Sequence, residues 1–270
     1  MTVAAVPRML ASDLDGTLIP PDQAAERLRE LQDLRRTVEA MDLALAYVTG
    51  RRLPSALRGI ERFGLPLPEA LACDVGTTVY WRRDGAYAPD GEYQDTLTAS
   101  PGFVAAARVR AALANLEGLR LQEPEAQNAF KVSYFVDAVP SPELLDQVRT
   151  RLTDEGRVRV VASHDPINGV GFLDLLPHAA GKASAVRWVT RRLGMTDDDV
   201  VFAGDSGNDT DALLSGVRAV LVGNAPDTLR SEVRASAESR GLRDRIYFAS
   251  SHFAAGVVEG LHHFAYGAST

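Results

Sequence analysis

Two aspartates one residue apart, Asp13 and Asp15, follow the apolar run Met9-Leu10-Ala11 in the segment Asp13-Leu14-Asp15-Gly16-Thr17. Side chains alternate along a strand with period two, so both carboxylates can share a face where the strand ends and the chain turns. Paired carboxylates in that place suit a divalent cation that prefers oxygen ligands. The same residues also read as a helix cap followed by an Asp-Gly turn, and alone they do not choose between the two.

Three later segments carry complementary chemistry. The apolar run Leu43 to Val48 stops at Thr49-Gly50-Arg51, which offers a hydroxyl and backbone N–H groups to the oxygens of an anion. Lys182, in Ala180-Gly181-Lys182-Ala183, stands where a helical pattern opens, adding a point charge beside the helix's positive end. Val200-Val201-Phe202-Ala203 then leads into Gly204-Asp205-Ser206-Gly207-Asn208-Asp209, again delivering carboxylates at the end of an apolar strand.

In this order the four segments resemble the haloacid dehalogenase superfamily of phosphatases, in the group with a type IIB cap. Further stretches are similar to the bacterial and plant sucrose-phosphate phosphatases: Cys73 to Tyr80, Pro124 to Tyr134, Leu173-Asp174-Leu175-Leu176-Pro177, Val222-Gly223-Asn224-Ala225, and the tail from Ala254 to Phe264. The resemblance implies a phosphatase dependent on magnesium (Mg2+). In that reading Asp13 attacks phosphorus and forms an aspartyl-phosphate, and Asp15 acts first as acid and then as base. Thr49, the Gly50 amide and Lys182 would bind the phosphoryl oxygens. Magnesium would be held by the Asp13 carboxylate, the Asp15 carbonyl and Asp205, with Asp209 or Asn208 acting directly or through water. Arg51 is left with two roles, one toward substrate and one in a salt bridge closing a sheet edge.

The resemblance also assigns selectivity to a cap. Lys131 matches a position that meets sugar hydroxyls, and Glu125, Gln127 and Asn128 gather hydrogen-bonding groups ahead of it. Its alternative is an exposed edge-strand lysine that discourages aggregation. The implied substrate is a small phosphorylated sugar, foremost sucrose 6-phosphate. Other readings are a glucosylglycerate, mannosylglycerate or mannosylfructose phosphatase, a phosphomutase, and a non-catalytic sugar-phosphate sensor.

These residues need a frame that brings strand ends together. Apolar runs alternate with helical patterns over the first eighty residues and the last hundred, which predicts an α/β core, a Rossmann-like parallel sheet with helices on both faces. Leu28, Leu31, Leu34, Val38 and Met41 mark one face of a helix over 24–41, and Thr77 to Arg82 alternates toward a turn at Asp84-Gly85 as a hairpin leaving the core. Between Ala86 and Asn168 the pattern becomes helix, two strands, helix, strand, an inserted α+β cap domain. Pro101 opens its first helix, Ser141-Pro142-Glu143 caps its second, and His164 to Gly169 forms a return linker. The expected division is core 1–85, cap 86–168 and core 169–270, with strand 172–176 starting the second core part. In such sheets ligands bind at the carboxyl ends of the strands.

Size and charge narrow the classes. The chain has 270 residues, a formal charge of -7 and a single cysteine, Cys73, so no internal disulfide exists and the thiol reads as a small buried residue. No dense basic stripe supports nucleic-acid binding, and no apolar stretch approaches the roughly 20 residues of a membrane span. The expectation is a cytoplasmic protein, a monomer or weak dimer, without the C-terminal domain that plant relatives carry. Asp211 reads as an exposed first-turn acid, and the five histidines, His164, His178, His252, His262 and His263, show no zinc-like spacing.

Overall fold

In the computed structural model, which describes residues 6–137, 140–165 and 169–267, the chain runs through β1 (Met9–Ser12), α1 (Ala25–Ala40), β2 (Ala44–Val48), α2 (Leu53–Phe63), β3 (Ala70–Cys73) and the hairpin β4 (Thr78–Arg83) and β5 (Ala86–Pro89). It continues with α3 (Gly91–Thr98), α4 (Ala106–Ala112), β6 (Arg120–Leu121), β7 (Val132–Val136), α5 (Pro142–Leu152), β8 (Val158–Asp165) and β9 (Val170–Pro177). The last part holds α6 (Lys182–Arg192), β10 (Val200–Gly204), α7 (Thr210–Leu213), β11 (Arg218–Leu221), α8 (Asp227–Ser239), β12 (Ile246–Phe248) and α9 (Phe253–Tyr266). Two compact units result, one of residues 1–90 with 182–270 and one of residues 91–181.

The first unit is built on an eight-stranded sheet in the order β12-β11-β10-β1-β2-β3-β4-β5. β12 through β3 are parallel, and β4 and β5 add an antiparallel edge. Every residue of β1 is fully buried, as expected of a central strand covered on both faces. Leu45 and Tyr47 of β2 share a core with Leu34 of α1, Ile60 of α2 and Leu261 of α9. α6 lies against β2 and β3 and buries its own row, Ala185, Val186 and Val189. After β5 and the second unit the chain returns to the far side of β1 as β10, so the strand order reverses between β1 and β10. That switch point opens a crevice at their carboxyl ends, next to Asp13 and Asp205.

The crossing into the second unit is anchored at Asp90. This buried residue accepts two indole hydrogen bonds on the same oxygen, from Trp81 Nε1 of β4 at 2.8 Å and from Trp188 Nε1 of α6 at 2.7 Å. The second unit has an antiparallel sheet in the order β6-β7-β9-β8. One face packs α4 and α5 through Val132, Tyr134, Leu173 and Leu175 against Val109, Leu113, Val148 and Leu152. By alternation Ser133, Phe135, Phe172 and Asp174 lie on the other face.

The frame departs from expectation in several places. The 78–89 hairpin does not leave the core but extends its sheet, with Ala72 opposite Val79, and the unit boundary falls after Asp90 rather than after residue 85. The strand at 172–176 does not restart the core. It is part of β9, the strand paired on both sides in the second sheet, and a doubly flanked strand carries the same apolar run in either unit. The second unit therefore extends to Gly181. Pro101 opens no helix, because Gly102 follows at φ 75° and its carbonyl accepts from Arg157 N, so α4 starts only at Ala106. His164 and Asp165 belong to β8, and residues 166–168 of the expected linker lie outside the described residues. Among the described residues no helix is long and apolar enough to cross a membrane.

Candidate active site

Asp13 continues the β1–β10 ladder by donating its N–H to the Ala203 carbonyl at 2.9 Å, which fixes its backbone where the crevice opens. Its side chain is almost fully buried, and Lys182 and Asp209 are completely so. Lys182, first residue of α6, places Nζ 3.0 Å from Asp13 Oδ1 and 2.7 Å from Asp209 Oδ1. Asp13, Asp205 and Asp209 each bring one carboxylate oxygen to within 4.8 Å of the others. Three segments distant in sequence thus meet.

Their charges do not balance. Burial drives the Asp13 carboxyl well above the usual carboxylate range, with Lys182 opposing and Asp209, Asp205 and Asp15 adding to the rise. Burial, then Asp209, raises Asp205 to about 7, although the Thr17 hydroxyl bond and Lys182 pull it down. For Lys182 burial favours the neutral amine, but the attraction of Asp13 and Asp209 overrides it and the ammonium is held above its ordinary range. Three acids around one lysine leave surplus negative charge in a dry place, the condition a divalent cation relieves.

The loops that hold these groups depend on close approach. A Cβ on Gly16, whose φ is 77°, would lie 2.3 Å from Asp205 Oδ2, and one on Gly204 would lie 2.6 Å from Asp209 Cγ, so neither site accepts a side chain without displacing a site carboxylate. Asp209 Oδ2 accepts from the Asp205 and Ser206 amides at 3.1 and 3.0 Å, which shapes the turn carrying Asp205. Asn208 is half-buried and accepts from the Ser206 hydroxyl at 3.2 Å.

Asp15 stands apart from this cluster. Its side chain is 53% exposed and is clasped by Arg51, with Nε to Oδ2 at 2.7 Å and Nη2 to Oδ1 at 2.5 Å. That bond lifts the Arg51 guanidinium further above its ordinary value, with burial opposing. The salt bridge expected of Arg51 therefore exists, but at the crevice and not at a sheet edge, since β2 is interior. Thr49 is fully buried at the end of β2 and accepts from Arg51 N–H at 3.1 Å. Gly50 is exposed beside it.

Two residues emerge that the spacing did not single out. Thr17 Oγ1 donates to Asp205 Oδ1 at 2.8 Å. Asn224 Nδ2 donates to the Gly16 carbonyl at 2.8 Å while its Oδ1 accepts from Phe253 N at 2.9 Å, joining the Asp13–Thr17 turn to the start of α9. A polar side chain after a strand, in Gly223-Asn224-Ala225, was the available signal. Asp211 is half-buried rather than exposed, and its Oδ2 accepts from Ala183 N at 3.3 Å, on α6 rather than on its own helix.

In the second unit Lys131 is 5% exposed, which removes the exposed-edge alternative. Ser133 donates to Asp174 Oδ1 at 2.5 Å. Gln127 is committed to the sheet's backbone: its Nε2 donates to the carbonyls of Ser133 and Gln122 at 2.9 and 3.2 Å, and its Oε1 accepts from Ser133 N at 2.9 Å. Asn128 Oδ1 accepts from Phe130 N at 2.7 Å, and Glu125 is exposed. Cys73 is free and buried, and among the described residues no histidine joins the carboxylate cluster.

Known proteins are similar to this chain in sequence and fold. Residues 6–265 match the family described as sucrose-6F-phosphate phosphohydrolase. A HAD-like hydrolase of Nitrosococcus oceani is 35% identical over 95% of this chain and 71% of its own length. The mannosylfructose-phosphate phosphatase of Agrobacterium fabrum is 30% identical over 95% of this chain and 96% of its own. Among solved structures, the sucrose-phosphatase of Synechocystis sp. PCC6803, in complex with sucrose and phosphate, superposes with a TM-score of 0.79 at 27% identity, covering 96% of this chain and 98% of that one.

Proposed function

The chain belongs to the sucrose-6F-phosphate phosphohydrolase family, a phosphoric monoester hydrolase, and we infer that it releases phosphate from a phosphorylated disaccharide, foremost sucrose 6-phosphate, through an aspartyl-phosphate on Asp13. The observation that carries this reading is the buried meeting of Lys182 with Asp13 and Asp209, with Asp205 alongside. Uncatalysed hydrolysis of a phosphate monoester is slow enough that the site must supply on the order of 20 kcal/mol, so several effects act together.

Asp13 attacks phosphorus and the sugar oxygen leaves with a proton from Asp15. Water then attacks the aspartyl-phosphate, giving its proton to Asp15 and restoring Asp13. Asp15 performs both transfers only when parted from Arg51. Lys182, the Thr49 hydroxyl and the Gly50 amide receive the charge that spreads over the phosphoryl oxygens. The surplus charge at Asp13, Asp205 and Asp209 fits a magnesium ion, which these carboxylates would hold together with the Asp15 carbonyl, Asn208 being close enough in sequence to act through water. When bound, it supplies Lewis-acid neutralisation of the phosphoryl oxygens. Lys131, with Ser133 and Asp174 on the face of the second sheet away from α4 and α5, supplies the sugar contacts. Gln127 serves that face by fixing Ser133.

A second reading, hydrolysis of mannosylfructose phosphate, is favoured by the 30% identity to the Agrobacterium fabrum enzyme. Phosphate release from a panel of mono- and disaccharide phosphates, with magnesium and with chelator, separates the two. A protein inert toward every ester in the presence of magnesium contradicts both.

A further inference from the structure

The segment after β3 has an uncommon backbone. Asp74, Val75 and Gly76 take φ of 54°, 59° and 78° in succession, a left-handed path that opposes any Cβ and a β-branched valine most of all. All three are buried. Such conformations persist only where the surroundings over-determine them, and they gather at functional sites.

These residues grip the loop that follows β2. Val75 N–H donates to the Thr49 carbonyl at 3.0 Å and Asp74 N–H to the Arg51 carbonyl at 2.9 Å. Successive amides of an extended strand point to opposite sides, so a straight continuation of β3 cannot make both bonds, whereas the left-handed turn can. Carbonyl and following N–H point in opposite directions across a trans peptide. With the Thr49 carbonyl turned to Val75, the Gly50 N–H points away from the turn. The Cβ that Gly50 lacks would lie 4.0 Å from Val75 Cγ2, so the turn runs directly beside the loop. Thr49 Oγ1, accepting from Arg51 N, keeps its own hydrogen for donation.

Resting on the hydrolase reading above, we propose that the Asp74–Gly76 turn, with Val75 at its centre, is the positioning element that aims the Gly50 amide and the Thr49 hydroxyl at the phosphoryl oxygens. Val75 touches no substrate and acts through Thr49 and Gly50. The backbone of the turn carries the effect: Val75→Gly keeps both the amide and the left-handed dihedral, and Val75→Pro removes both.

Protein labelled with 15N-glycine, titrated with orthovanadate in magnesium buffer, reads Gly50 beside Gly16 and Gly207. In the wild type and in Val75→Gly the Gly50 resonance shifts strongly, and kcat and KM stay within about threefold of each other's values. In folded Val75→Pro the Gly50 shift is lost and kcat falls about 100-fold, the size of losing one oriented donor, with KM changed less than about threefold. Unchanged kcat in folded Val75→Pro overturns the proposal. So does a wild-type Gly50 that stays still while Gly16 and Gly207 move, an outcome that spares the hydrolase reading. If Val75→Pro does not fold, Val75→Gly decides: a retained Gly50 response supports the proposal, and a lost one in a protein of unchanged melting temperature overturns it. Silence of all three glycines in a protein that releases no phosphate overturns both readings.

Discussion

Lys182 and Lys131 have both been taken out of water by folding, at 0% and 5% exposure, yet their surroundings differ in kind. Lys182 is wedged between Asp13 and Asp209, and Asp209 is fixed in turn by the Asp205 and Ser206 amides. Lys131 precedes β7, where much of the nearby polar chemistry serves the sheet itself. Gln127 and Asn128 bond to backbone, and Ser133 spends its hydroxyl on Asp174. The difference separates two tasks. On the proposed reading the core arrangement acts on the phosphate whatever it is attached to, while the second sheet supplies the groups for recognition, so single changes there should alter choice of substrate rather than chemistry.

The largest test of that contrast is Asp13→Asn. Loss of the nucleophile should cost about 10^4-fold or more in kcat, equally for a disaccharide phosphate and for p-nitrophenyl phosphate, in a protein that still folds. Unequal losses measured by phosphate release would break the claim that the core ignores the leaving group. Lys131→Ala should give the opposite signature. We expect about 10- to 100-fold lower kcat/KM on the sugar phosphate, as for a lost buried hydrogen-bonding charge, and a change below about threefold on the aryl ester. Equal losses on both esters would remove Lys131 from sugar recognition.

Proton linkage sharpens the core side. A carboxyl whose folded-state value is raised binds its proton more tightly when folded, so its favourable contribution is full below the ordinary carboxylate value and is lost as pH climbs through the raised one. For Asp205, raised to about 7, that window runs from the normal carboxylate range to about neutrality. Chelator-treated protein should therefore melt several degrees lower at about pH 7.5 than at about pH 5.5. Magnesium should raise the melting temperature more at the higher pH, where the carboxylates are ionised and ready to bind it. Equal increments at both pH values, read by calorimetry, would mean the cluster is not the binding site. The smallest effect belongs to Gln127→Ala, which takes from the Ser133 N–H its side-chain acceptor, while the Ser133 carbonyl keeps the Gln122 N–H at 2.9 Å. A loss of about 1–2 kcal/mol in stability is expected, with kcat on aryl esters unchanged.

Three strand-end motifs and the helix start at Lys182 were legible because each is local: an apolar run or a helical pattern, its boundary, and polar side chains within a few residues. Their convergence followed from strand order, which the alternation of strands and helices already implied. The Asp15–Arg51 clasp was not legible in that detail, since it depends on how two loops meet in space. Gln127 looked like a ligand group because an amide has the same hydrogen-bonding capacity toward a sugar as toward a backbone. β9 was assigned to the core because burial, and not unit membership, sets the apolar run. α8 went unread because Leu229, Val233 and Ala237 form its only buried stripe, a spacing of four in a mostly polar segment.

Asp90 Oδ2 receives the indole hydrogens of both Trp81 and Trp188, and the chain has just 2 tryptophans. The tryptophan fluorescence of the protein is therefore concentrated at one carboxylate, the last residue before the insertion. One of these fluorophores rides on the helix that opens with Lys182. Emission spectra, without any attached dye, thus become a built-in gauge of disturbance at that junction.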